Sequence, residues 1–236
     1  MKVVILAGGV GTRAYPYTEY LPKPMLPVGG KPILVRVMEI YARQGFTEFI
    51  LSVGYRKEII IDYFDQRQLG WSIEIVDTGA DTDTGGRIWH CRDLVGETFM
   101  ATYADGLSDV PLARLIDSHR QNNVLCTITC VPLRSQYGTI TTDGENRIVE
   151  FNEKPMLSEH WINAGFFVMD RRIFLHWRGE NLEREVFPHL LPGRHLASFR
   201  HPGFFKSLDT YKDQQEIEAM IAGGTLPWLR HERAAV

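Results

Sequence analysis

The chain has 236 residues, 44% hydrophobic and 23% charged, with a formal net charge of −3 and a pI near 6.2. Those figures fit one globular α/β domain spanning 1–236, and they give no general electrostatic case for nucleic acid or an anionic membrane as partner. No apolar run approaches the ~20 residues of a bilayer span. The N-terminus reads as a strand rather than a signal peptide, and three cysteines (Cys91, Cys126 and Cys130) cannot all pair, which points to a reducing cytoplasm.

Val3–Leu6 forms a short apolar strand, and a long connector follows it, LAGGVGTRAYPYTEYLPKPMLPVGGK over 6–31. Connectors from strand to helix usually run about 2–6 residues. This one opens on Gly8, Gly9 and Gly11, carries Arg13 and Lys23, and is kept out of helix by Pro16, Pro22 and Pro24. Glycines let successive N–H groups close around an anion, and the two cations add full charge, so the segment reads as a triphosphate cradle. Two other phosphate loops fit less well. Gly9–Ala14 matches G-x-G-x-x-A, but Tyr15-Pro16-Tyr17 follows where a helix should begin. Gly30-Lys31 hints at a Walker loop, but Pro32 stands where Ser or Thr would hold magnesium.

Helical spacing of Ile33, Val37, Ile40 and Tyr41 predicts a helix over 32–44, stopped by Gly45. Strand 48–53, helix 57–64, strand 72–76, a helix after Gly86, strand 98–103, helix 111–121 and strand 125–131 follow. This alternation implies a Rossmann-like, mostly parallel sheet with helices on both faces. Ligands of such sheets lie beyond the carboxyl ends of the strands, where the glycine loop, Gly54, Asp77 and Asp105 all fall. The second half changes character: a hairpin of 138–141 with 147–152, a strand 163–169, a helix 183–190, short strands near 195–199 and 204–207, and a last helix 211–221. It reads as a cover forming the second wall of the cleft, with 1–132 and 133–236 as its two halves.

Asp105 ends a strand before Gly106, a good place for a magnesium ligand and also a common turn position. Asp209 precedes Thr210 at the start of the last helix, where residues alone favour an N-cap. Lys154, beside Glu153, reads as a solvated cation. Thr84-Gly85-Gly86-Arg87 opens a helix with two glycines, which lets a flat base or anion come close, while Arg87 reads as a surface cation of that helix. His90, His119 and His176 show no metal spacing.

GGVGTR followed by PKPM resembles the signature of the sugar-1-phosphate nucleotidyltransferases. The segments VDTG, TGGR, YADG, EKP, INAGFFV and HPGFF…LDT fit that superfamily in order over nearly the whole chain, nearest to its glucose-1-phosphate cytidylyltransferase branch. The stretch between Phe64 and Val76 is short for that branch. The resemblance implies a GT-A-like fold and magnesium-dependent nucleotidyl transfer from CTP to a sugar 1-phosphate, with self-association open. It assigns catalysis to Arg13 and Lys23. Nucleotide binding falls to Leu6, Ala7, Gly8, Gly9, Gly11, Thr12, Thr84, Gly85 and Asp105. The sugar phosphate falls to Tyr137, Gly138, Glu153, Lys154, Asn163 and Gly165, and the metal to Asp105 and Asp209. A guanylyl or uridylyl transferase and a non-catalytic nucleotide sensor are the rivals.

Overall fold

The computed structural model describes residues 1–11 and 20–229. Its centre is β1 (Val3–Leu6), a strand buried on both faces. Val3 and Ile5 enter one hydrophobic core, and Val4 and Leu6 enter the other. A strand covered on both sides needs this unbroken apolar run.

Seven strands form the main sheet. β4 (Glu48–Val53) and β5 (Ser72–Asp77) lie on one side of β1, and β6 (Thr98–Tyr103), β11 (Met156–Asp170), β8 (Cys126–Arg134) and β12 (Leu196–Arg200) lie on the other. Six strands share one direction. Only β11 opposes them, antiparallel to both β6 and β8. The chain steps one way from β1 to β4 and later returns to its other flank at β6. This is a topological switch point, where a crevice opens beyond the strand ends.

Helices cover both faces, as the alternating pattern implies. On one side lie α1 (Ile33–Ala42), α2 (Lys57–Asp65), α4 (Leu112–Asn122) and α6 (Tyr211–Ala222). On the other lie α3 (Thr84–His90) and α5 (Phe187–Leu190). α1 ends as its sequence dictates: Gly45 takes φ of 90°, and the N–H groups of Gly45 and Phe46 donate to the carbonyls of Ala42 and Tyr41 at 3.0 Å each. β2 (Pro27–Val28) and β3 (Lys31–Pro32) form a two-residue hairpin before α1.

Several elements differ from the sequence expectations. α3 starts at Thr84, upstream of the expected Gly86, because the Asp83 side chain accepts from Thr84 N. The 182–190 segment is a π turn over Leu182–Val186 running into the four-residue α5, with Pro188 removing one helical donor. β11 begins at Met156, seven residues before the expected strand. Its first half pairs with the end of β8, and its register shifts twice, between Leu157 and Trp161 and between Asn163 and Phe167. Those irregularities erase the period-2 pattern that marks a strand. β9 (Thr139–Thr142) and β10 (Ile148–Asn152) make the expected hairpin, separate from the main sheet. β7 (Gly106–Ser108) pairs antiparallel with β13 (Phe205–Ser207), and this small ribbon sits beside the crevice.

Candidate active site

A cleft of about 560 Å³ opens at the carboxyl ends of β1 and β6. Leu6, Gly9 and Gly11 line it from the glycine loop, and Ala7 and Gly8 are buried behind. Gly11 has φ of 67°, and a Cβ there would stand 2.6 Å from Lys23 Cβ. Glycine is therefore required on both counts, and the loop lies directly against the lysine stem. Arg13 and Thr12 lie outside the described residues.

Lys23 opens a 3₁₀ turn, Lys23–Met25, entered through Pro22 in extended conformation. Its side chain is 9% accessible, and its Nζ donates to Asp105 Oδ2 at 2.5 Å and to Asp209 Oδ1 at 2.8 Å. Burial works against the ammonium charge, but Asp105 foremost and then Asp209 outweigh it, so the pKa rises above 10.5.

The β7–β13 ribbon brings the two carboxylates together. Asp105 stands just before β7 and Asp209 soon after β13. Antiparallel pairing sets Gly106 opposite Ser207, and Leu208 N donates to Asp105 O at 3.0 Å. The HPGFF segment fixes this register: Asp109 Oδ1 lies 2.7 Å from His201 Nε2 and accepts from Phe204 N at 2.7 Å. Thr210, not Asp209, caps α6. Its side chain accepts from Asp213 N, and the Asp213 carboxylate accepts from Thr210 N in return. Asp209 faces Lys23 instead, with Ser207 Oγ donating to Oδ2 at 2.9 Å. The N-cap reading of Asp209 is thus corrected.

Two hard oxygen donors converging on one cation suit magnesium, which takes one or two carboxylates and completes its shell with water and phosphate oxygens. Among the described residues no cluster of three or more His, Cys, Asp or Glu is placed to hold a metal.

Thr84 lines the cleft at the start of α3, and its Oγ1 donates to Glu183 Oε2 at 3.1 Å. The other oxygen of Glu183 accepts from Tyr103 OH, and both residues line the cleft. Desolvation raises the Glu183 pKa. Sequence reading missed this pair: Tyr103 was legible only as a strand end, and Glu183 only as an acid in a helix's first turn. Gly85 and Gly86 are absent from the cleft lining. A Cβ on Gly85 would stand 2.8 Å from Glu180 O, and one on Gly86 would overlap the Glu180 carboxylate. These glycines let α3 press against the 179–186 segment. Arg87, expected on the helix surface, is 3% accessible and lines the cleft floor.

Of the residues expected at the acceptor, Asn163 lines the cleft and accepts from Gly165 N at 2.8 Å. Gly165 takes φ of 76°, and a Cβ there would overlap the Tyr103 ring. Tyr137, Gly138, Glu153 and Lys154 are not among the lining residues. They are exposed or half-exposed around the β9–β10 hairpin, where Gly138 packs on Phe151 and Lys154 Nζ lies 3.7 Å from Glu153.

A mixed α/β sheet with a glycine loop, a buried lysine and two carboxylates at its switch point offers donors for an anionic ligand and oxygens that a divalent cation could share. Residues 2–188 match the nucleotidyl transferase family. A probable glucose-1-phosphate cytidylyltransferase of Bacillus subtilis is 38% identical, over 97% of this chain and 99% of that protein. The glucose-1-phosphate cytidylyltransferase of Salmonella typhi is 32% identical, over 97% and 98%. The crystal structure of HddC from Yersinia pseudotuberculosis, complexed with GMP-PN, superposes with a TM-score of 0.73 over 93% of this chain and 99% of that one, at 24% identity. The chain belongs to the nucleotidyl transferase family, and it is a nucleotidyltransferase. Among the described residues no helix is long and apolar enough to cross a membrane.

Proposed function

We propose that the protein transfers the cytidylyl group of CTP to a sugar 1-phosphate, glucose 1-phosphate first, releasing pyrophosphate and a CDP-sugar. The observation that carries the reading is the buried Lys23 between Asp105 and Asp209, set against the glycine loop. The names of the two cytidylyltransferase relatives and the VDTG, TGGR and HPGFF segments support cytosine and glucose.

The acceptor phosphate oxygen attacks the α-phosphorus, and pyrophosphate leaves in line. The nucleophile is already anionic near neutrality, so no general base is needed; the barrier is the approach of two anions, lowered by positioning and charge. The glycine-loop amides and Arg13 hold the triphosphate, and Lys23 neutralises the α-phosphate. Asn163 and Tyr103, with Glu183, shape the wall facing the acceptor; from the hairpin side Lys154 binds the phosphate of the incoming sugar and Glu153 contacts its hydroxyls. Asp105 and Asp209 would hold magnesium, which when bound supplies charge neutralisation at the phosphates. The first half of the chain serves the nucleotide and the second the sugar phosphate.

Pyrophosphate release from CTP, UTP, GTP and dTTP, measured with saturating glucose 1-phosphate, tests this. A kcat/KM for CTP about ten- to hundredfold above the others is expected, because a pocket matched to the cytosine amino group leaves a polar atom unpaired with uracil. Equal use of CTP and UTP refutes the base. Release with CTP only when another phosphate monoester replaces glucose 1-phosphate refutes the sugar.

A further inference from the structure

Among the described residues, Arg87 is the largest charged side chain at the cleft that this reaction leaves without a task. Its guanidinium is held by neutral oxygens from three separate strand ends. Nη2 donates to Gly8 O, beyond β1, at 2.9 Å and to Ala80 O at 3.3 Å. Nη1 donates to Val53 O at the end of β4 at 3.4 Å, and to Thr78 Oγ1 and Gly79 O, beyond β5, at 2.8 and 3.1 Å. The recess is shaped for it. A Cβ on Gly8 would overlap Nη1, and a Cβ on Gly54 would stand 2.8 Å from the same atom. A planar fork with five donors fills such a site; a lysine cannot.

The bond to Gly8 has a geometric consequence for the loop. Gly8 O is gripped from two sides, by Arg87 Nη2 and by Tyr55 N, both at 2.9 Å. In a planar trans peptide the following N–H points opposite to that carbonyl. The Gly9 N–H is therefore turned to the open side of the loop, where Gly9 is exposed and lines the cleft.

We propose that Arg87 is the positioning residue of the phosphate loop: it draws the Gly8 carbonyl inward, turns the Gly9 amide toward the ligand's phosphates, and places a permanent positive charge behind them. The proposal rests on the cleft receiving a triphosphate. It makes Gly8 and Arg87 a matched pair, since a side chain at Gly8 would displace the guanidinium and loss of the guanidinium removes one of the two donors that hold the Gly8 carbonyl.

Inorganic tripolyphosphate binding, followed by calorimetry on the whole protein with magnesium present, tests the loop without turnover. Arg87→Met and Gly8→Ala are each expected to weaken tripolyphosphate about tenfold or more, with Arg87→Lys between them and the wild type. Gly8→Ala added to Arg87→Met is expected to cost less than the sum of the two single changes, because the guanidinium its Cβ displaces is already gone and only the 2.8 Å approach to Gly54 N remains. In turnover assays the nucleotide KM rises while the sugar-phosphate KM holds. Arg87→Lys and Gly8→Ala give the reading should Arg87→Met not fold. Variants that melt earlier yet bind tripolyphosphate as the wild type does overturn the proposal. Tight tripolyphosphate binding by a wild-type protein inactive with every triphosphate overturns the reaction instead and leaves the role of Arg87 standing.

Discussion

Lys23→Met removes the ammonium while keeping the stem that lies against Gly11. Asp105 and Asp209 then face each other without the Lys23 ammonium that both accept from. Breaking a buried ion pair costs about 3–5 kcal/mol. The two carboxylates are 25% and 26% accessible, so water screens part of the repulsion, and about 2–3 kcal/mol is the better figure. For a chain of this size that is a drop in Tm of about 4–12 °C. Magnesium should recover much of it by taking the carboxylates. Turnover behaves differently, since losing one charge aimed at a reacting phosphate costs about 10²–10³ in kcat. A coupled pyrophosphate assay is expected to show that loss with the CTP KM changed less than about tenfold. The raised Lys23 pKa sets the pH window: the stability it adds is complete below 10.5 and is lost as pH climbs through the higher folded-state value. The Tm gap between wild type and variant should stay level from neutrality to about pH 10 and then narrow. Near-normal kcat with a raised CTP KM would show that Lys23 only binds nucleotide.

Asp105→Asn and Asp209→Asn are each expected to stay folded and to need more magnesium for half-maximal rate; an unchanged magnesium titration in either removes that residue from the metal site. Asp213→Ala removes the reciprocal partner of the Thr210 cap, costing about 0.5–2 kcal/mol, or about 1–8 °C in Tm. Burial opposes ionisation of Asp213, but Lys206 and Thr210 outweigh it and lower its pKa below 3.8. Its contribution is therefore present above pH 3.8 and lost as pH falls through the lower folded-state value, so the two melting curves should converge in acid. Curves that stay apart there would assign the loss to packing rather than to the charged cap.

The glycine loop, the order of alternating strands and helices, and the placing of Asp105 at a strand end were all legible, because each leaves a local mark: glycines, periodicity, a turn after an apolar run. Asp209 was not legible from residues alone. A carboxylate beside Thr210 looks like a cap, and only the β7–β13 pairing turns it toward Lys23. Arg87 was hidden for a similar reason. Its recess is opened by the missing side chains of Gly8 and Gly54 and lined by the Gly79 carbonyl, which come from three strand ends far apart in sequence, while its own neighbours suggest an exposed helix start. The first half of β11 was lost to its register shifts, and Glu183 to the π turn that carries it to Tyr103.

The Lys23 cluster joins residues separated by 82 and 186 positions along the chain. All seven strands of the main sheet are complete by Arg200, yet Asp209 arrives only after β13. A chain emerging from the ribosome can therefore lay down its entire sheet while Lys23 still has a single carboxylate partner. Sheet and cluster are finished at different moments: a nascent or shortened chain that looks folded by its backbone offers Lys23 one carboxylate in place of two. A closed Lys23 cluster reports that the β7–β13 ribbon has docked, not merely that the sheet has formed.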